Sequence, residues 1–228
     1  MDNVQLYNDN FINVVKNIGD CSIDLVVIDP PYKVISGGNS KGLSYKHKGS
    51  ITEKNDGKIF KHNNIKISDW IGEVYRVLKD ESHCYIMTNV LNLEEMLLEA
   101  KKVGFKLHNI LVWEKQNCPP NRWYMKNCEY TLFFRKGKAR AINNMGSKTV
   151  HQFHNPQGNK IHPTEKPVDL MEYYILNSSK EQDIVMDCFM GSGSTGVASV
   201  INNRKFIGIE IDENYYNIAK KRISNYIK

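Results

Sequence analysis

Apolar positions along the chain follow two alternating rhythms, and the alternation predicts the architecture. Short β-branched runs, of which "IDLVVI" at 23–28 is the densest, have the pattern of strands buried on both faces. Others fall at 4–7, 83–88, 105–113, 129–134, 184–187 and 206–210. Between most of them the apolar spacing lengthens to a helical period, predicting helices over 11–17, 69–78, 93–103, 168–178, 194–201 and 213–227. In the second of these, Trp70, Val74, Val77 and Leu78 share one face. Strands and helices taking turns predict an α/β fold, with a mostly parallel seven-stranded sheet and helices on both sides. The runs 105–113 and 129–134 have no helix between them and predict an antiparallel pair, with an edge position as the first expectation.

Two stretches break the rhythm. Residues 33–66 and 136–160 are rich in Gly, Ser, Asn and Lys without sustained periodicity, and loops of this length inside a domain are functional or disordered. With no repeat and no linker between full domains, the expectation is one domain over 1–228 that carries a basic loop insertion at 33–67.

Charge sharpens this picture. The formal net charge is +6, yet 33–66 holds eight lysines against two acids, and 115–166 holds ten Lys or Arg against two. The remaining chain therefore carries a net −8. An acidic scaffold with two basic segments is the footprint of a polyanion binder, the alternative being two solvated lysine-rich loops. Composition adds exclusions. No apolar run reaches membrane-spanning length and the start "MDNVQLYNDN" lacks a basic-then-apolar pattern, so a cytoplasmic location is expected. The five cysteines are scattered, and His47, His62, His151, His154 and His162 lack ligand spacing, so neither a disulfide framework nor a metal site is expected.

Candidate chemistry lies where strands end. Strand 23–28 runs into "DPPY": Asp29, Pro30, Pro31 and Tyr32 fix a carboxylate, stiffen the backbone and add an aromatic face. Strand 184–187 runs into "DCFMGSGSTG", in which Gly191, Gly193 and Gly196 match GxGxxG and open a helix, with Glu210 at the end of the next strand. That constellation predicts a nucleoside-containing cofactor, either a nicotinamide or flavin dinucleotide or S-adenosylmethionine; a P-loop is excluded because no lysine precedes the Ser or Thr. Upstream lies "KIHPTEKPVDLMEYYI", where Pro167 suits a helix start and Lys166 sits beside it. Trp123 and Tyr124 are expected to pack as loop anchors, and Lys220, Lys221 and Arg222 to form a solvated helix face.

The order "DPPY", then "HPTEKP", then "DCFMGSGSTG" resembles the β class of DNA amino-methyltransferases, whose catalytic motif precedes the cofactor motif. "WIGEVYRVLK" and "NRWYMKNCEYTLFFRKGK" extend the resemblance over nearly the whole chain. It implies a circularly permuted Rossmann-like methyltransferase fold, S-adenosyl-L-methionine as cofactor and double-stranded DNA as partner, with a short target-recognition segment at 136–161. A homodimer and a companion restriction enzyme stay open.

The resemblance further implies that Asp29 and the Pro30 carbonyl accept the two hydrogens of an extruded amino group, that Pro31 holds the geometry and that Tyr32 stacks on the base. It implies cofactor contacts from Asp9, Lys166, Asp187, Phe189, Gly191, Gly193, Ser194, Thr195 and Glu210. Lys33, Lys41, Lys46, Lys48, Arg122 and Lys148 are the candidate DNA contacts. Many members carry Gln where this chain has Glu165, whose role stays unassigned. An Asp at the head of the first motif points to the adenine N6 amino group. Cytosine N4 is the alternative within the class, and a dinucleotide-dependent oxidoreductase the alternative outside it.

Overall fold

The computed structural model describes residues 3–31, 65–116, 118, 124–154 and 165–227. Eight strands form one sheet among them: β1 (Val4–Tyr7), β2 (Ile23–Ile28), β3 (Leu78–Thr88), β4 (Lys106–Glu114), β5 (Cys128–Arg135), β6 (Val150–Gln152), β7 (Ile184–Asp187) and β8 (Lys205–Ile209). Their spatial order is β1-β8-β7-β2-β3-β5-β4-β6. β5 runs antiparallel to both neighbours, and every other pairing is parallel. The helices are α1 (Phe11–Val14, continued by the 3-10 turn Val15–Asn17), α2 (Ile67–Val77), α3 (Leu93–Val103), α4 (Val168–Ser178), α5 (Ser194–Ile201) and α6 (Glu213–Ser224).

The sheet separates two apolar layers. On one face α1, α2 and α3 pack on Ile23, Val26, Ile28, Cys84, Ile86 and Phe134; on the other, α4, α5 and α6 cover Leu25, Val27, Tyr85, Met87 and Phe133. Ile23 and Val26 reach the same layer despite their odd spacing because the β2–β3 register shifts between Ile23 and Leu25. Trp70, Ile71, Val74 and Val77 of α2 are at most 1% exposed. Burying each such side chain contributes about 1.5–3 kcal/mol, which makes this stripe the reason that α2 is held against the sheet. The helix ends where Leu78 turns extended and enters β3 directly. There the Lys136 ammonium donates to the carbonyls of Tyr75 and Leu78, which the ended helix leaves open.

The predicted hairpin forms, although not at the edge. β5 inserts between β3 and β4, with Cys84 opposite Phe134 and Ile110 opposite Leu132. The outer side of β4 is covered by β6, which pairs Val112 with Val150. Three residues are too few to show a strand period, so β6, an eighth strand beyond the seven expected, could not be read from the sequence. No helix among the described residues is long and apolar enough to cross a membrane.

Candidate active site

β2 and β7 are neighbours, in register at Leu25–Val185 and Val26–Met186. From β2 the chain moves to β3 on one side, and from β7 to β8 on the other. The crevice beyond their carboxyl ends is therefore the sheet's topological switch point, where ligands of open α/β sheets bind. Asp29 follows β2 and Asp187 ends β7. One strand spacing and two residue steps put their Cα atoms roughly 8 Å apart. The two motifs predicted to cooperate thus share one rim.

Asp29 sits in a cluster of four charges. Its Oδ2 accepts from the Lys166 ammonium at 2.5 Å, while Lys166 also lies 3.5 Å from Glu129 Oε2. Glu129, at the start of β5, accepts in turn from Lys115, just past β4. Asp29 Oδ1 is buried and has no hydrogen-bond partner among the described residues. Burial raises the Asp29 carboxyl above its usual range, Lys166 opposes this, and the Glu129 charge adds to the rise. Burial pushes Glu129 upward too, but Lys166 and Lys115 together outweigh it and hold its carboxyl below the ordinary value.

The glycine turn forms the opposite wall. Gly191 and Gly193 adopt φ of +53° and +83°, a conformation that side-chain-bearing residues rarely take. A Cβ on Gly191 would find nearly open space, so the turn presents bare backbone to the crevice. Glu210 reaches across it, accepting from the Gly191 N–H at 2.7 Å and from the Asp212 N–H at 2.9 Å. The Asp187 carboxylate accepts from the Phe189 N–H at 3.0 Å; burial lifts its pKa to about 7, with Asp29 and Glu210 adding to the rise. Phe189 packs edge-on against Trp70 at 5.3 Å and lies 6.1 Å from Phe11.

A family model described as DNA methylase matches residues 23–221. The chain belongs to this family.

It is a DNA methyltransferase whose cofactor is S-adenosyl-L-methionine. It is 30% identical to the Type II methyltransferase M2.MboI of Moraxella bovis, over 96% of this chain and 87% of that one. It is 32% identical to the orphan methyltransferase M.BamHII of Bacillus amyloliquefaciens, over 93% and 92%. Among solved structures, the M1.HpyAVI–SAM complex aligns with a TM-score of 0.72 and 25% identity, covering 96% of this chain and 99% of that one. PvuII DNA methyltransferase (cytosine-N4-specific) aligns at 0.75 and 18% identity, covering 99% and 92%, a likeness of fold.

The DNA methyltransferase's own residues fit the cofactor. Two carboxylates whose pKa values are raised, the buried Asp187 and the half-buried Glu210, border an open glycine turn next to an aromatic ring. Uncompensated negative charge of this kind suits a ligand that carries an ammonium, a sulfonium and ribose hydroxyls. Asp9, exposed at the end of β1 on the same rim, spends Oδ1 on the Asn10 N–H and the Asn13 amide. Ser194 donates to the Lys166 carbonyl at 2.8 Å, tying the "EKP" segment to the turn, and Thr195 is buried beside it.

Several sequence expectations change in detail. Lys166, expected near the cofactor, directs its ammonium to Asp29 and Glu129. Arg222 does not lie on a solvated face. It pairs with Glu165 at 2.8 Å and reaches the Ser192 carbonyl and the Ser192 and Ser194 hydroxyls at 3.2–3.3 Å. The charge that Glu165 adds near the cofactor turn is thereby met by a guanidinium, a pairing that linear sequence did not reveal. Tyr124 is 97% exposed rather than packed. Lys148 is exposed beside β6, its carbonyl accepting from Tyr173. Tyr32, Lys33, Lys41, Lys46, Lys48, Arg122 and Trp123 lie outside the described residues, as does most of the 33–67 loop. Lys115 and Glu129 were missed as site residues; two unlike charges at facing strand ends were the available signal.

Proposed function

We propose that the protein methylates the N6 amino group of adenine in double-stranded DNA, after the base has left the helix, with Asp29 as the residue that engages that amino group. The observation that carries this reading is the buried, unpartnered Oδ1 of Asp29 at the switch point, opposite the glycine turn. Such an oxygen is costly unless a ligand supplies a donor, and an exocyclic amino group is one. Oδ1 accepts one amino hydrogen and the Pro30 carbonyl accepts the other. Both bonds favour a pyramidal nitrogen, which frees the lone pair that the purine ring otherwise delocalises. Pro30 and Pro31 fix the backbone so that little reorganisation is needed.

S-adenosyl-L-methionine supplies a methyl group on a positively charged sulfur. Asp187 and Glu210 would hold its ammonium and ribose, Phe189 and Asp9 would approach its adenine, and Gly191, Gly193, Ser194 and Thr195 would shape the wall behind it. Transfer of that methyl would break its bond to sulfur, leave a neutral thioether as product and put the positive charge on the amino nitrogen. One N–H proton then leaves by way of Asp29, whose raised pKa makes it a better acceptor than an exposed carboxylate. Lysines of the 33–67 loop, Arg122 and Lys148 neutralise phosphates, and 136–161 carries target recognition.

The adenine assignment rests on Asp at the head of the first motif. Incubating DNA with the purified protein and tritiated S-adenosyl-L-methionine, then digesting to nucleosides, tests it. N6-methyladenine is expected; N4-methylcytosine alone would overturn the choice of base. Asp29→Ala should abolish transfer while calorimetry finds cofactor affinity nearly intact, and unchanged turnover would remove Asp29 from its assigned role.

A further inference from the structure

We propose that Glu129 is a positioning residue for this reaction, which sets through Lys166 how strongly Asp29 is gripped and so how readily Asp29 takes a hydrogen from the substrate amino group. The inference rests on the methyltransferase reading above. Asp29, Lys166, Glu129 and Lys115 form a continuous chain of alternating charge, drawn from the end of β2, the segment before α4, the start of β5 and the end of β4. Lys166 is 8% exposed, and the Asp29 and Glu129 side chains are only 23% and 22% exposed, so solvent screens these charges weakly.

An ammonium held by Asp29 alone would leave a tight ion pair, with the carboxylate ionised but a poor acceptor. Glu129 competes for the same ammonium. Lys115 balances Glu129 in turn, which leaves two acids and two ammonium groups with no excess charge. The result divides the labour at Asp29: Oδ2 is anchored by Lys166, so the carboxyl plane is fixed, and the buried Oδ1, with no hydrogen-bond partner among the described residues, is left to accept from the substrate. The charged groups facing Asp29 are Lys166, Glu129, Lys115 and, from β7, Asp187. Asp187 is present in every variant below and shifts none of the comparisons.

The test is the pH profile of kcat for DNA methylation at saturating cofactor and DNA. Glu129→Gln removes the pull of Glu129 on Lys166 and its negative charge near Asp29, so the acid limb should move down by about 0.5–1 pH unit and the plateau should fall roughly 3–10-fold. Lys166→Gln should move the limb the opposite way, to higher pH. Lys115→Gln, at the outer end of the chain, should also move it up, because the Lys115 charge itself lowers Asp29 and its loss leaves Glu129 unbalanced. Glu129→Asp should restore most of the wild-type profile. Opposed shifts with unchanged thermal midpoints support the assignment, and if Glu129→Gln does not fold, Glu129→Asn is read in its place with the same downward shift expected. Activity lost equally at all pH values, or limbs that stay put in folded variants, would overturn it. A wild-type protein that transfers no methyl group would instead sink the underlying reading, so the two failures are distinguishable.

Discussion

Replacing Asp187 with Asn should stabilise the protein while weakening its cofactor site, and the gain should depend on pH. In the fold this carboxyl has its pKa raised to about 7 from an ordinary 3.8, chiefly by burial. A raised carboxyl pKa means that the folded state holds its proton more tightly than the unfolded chain. The penalty is absent below the unfolded value, grows as pH rises through the window from about 3.8 to about 7, and is complete above it. Linkage puts it at no more than about 1.7 kcal/mol at pH 5 and about 4 kcal/mol at pH 8.

Asn removes the charge and retains an oxygen for the Phe189 N–H. Thermal unfolding of the protein without cofactor should therefore show a higher midpoint for Asp187→Asn than for wild type. At about 2–4 °C per kcal/mol, the gain has a ceiling of about 8–16 °C at pH 8 and falls to less than half of that at pH 5. S-adenosyl-L-methionine should bind the variant about 10–100-fold more weakly, the loss of one charge-assisted hydrogen bond. An equal gain at both pH values, or a lower midpoint at pH 8, would refute the reasoning.

Three further outcomes follow from the packing and the charges. In Gly196→Ala the new Cβ would meet Ile223 Cδ1 at 2.4 Å and Phe206 Cε1 at 2.7 Å, so overpacking should exceed the helix-propensity gain by about 1–2 kcal/mol; an unchanged midpoint in a thermal scan would contradict the close approach of α5 to α6. Arg222→Ala strands the buried Glu165 carboxylate beside the glycine turn and should weaken cofactor binding by calorimetry roughly tenfold, whereas Glu165→Gln should cost little; equal losses would contradict the pairing. DNA affinity should fall steeply with salt as lysine contacts release counterions, and a flat response in a binding titration would remove the basic segments from the DNA surface.

Local pattern along the chain specifies the elements and their chemistry. Hydrophobic period is a local property, so β2, α3, α4, α5 and β7 appear within a residue or two of where the spacing put them, and "DPPY" and "GSGSTG" fall at strand ends as local punctuation requires. The family resemblance was legible for the same reason, since it lives in contiguous motifs.

Which motifs meet is a property of the folded chain. Asp29 and Lys166 are 137 positions apart, and two helices and two strands separate Glu165, before α4, from Arg222 in α6. Periodicity says that a strand is buried but not which strand lies next to it, and strand order is what brings β5 and the segment before α4 to the end of β2. The three-residue β6 and the inward turn of Arg222 were hidden likewise, one by its shortness and the other because the partner that draws it inward lies elsewhere in the chain.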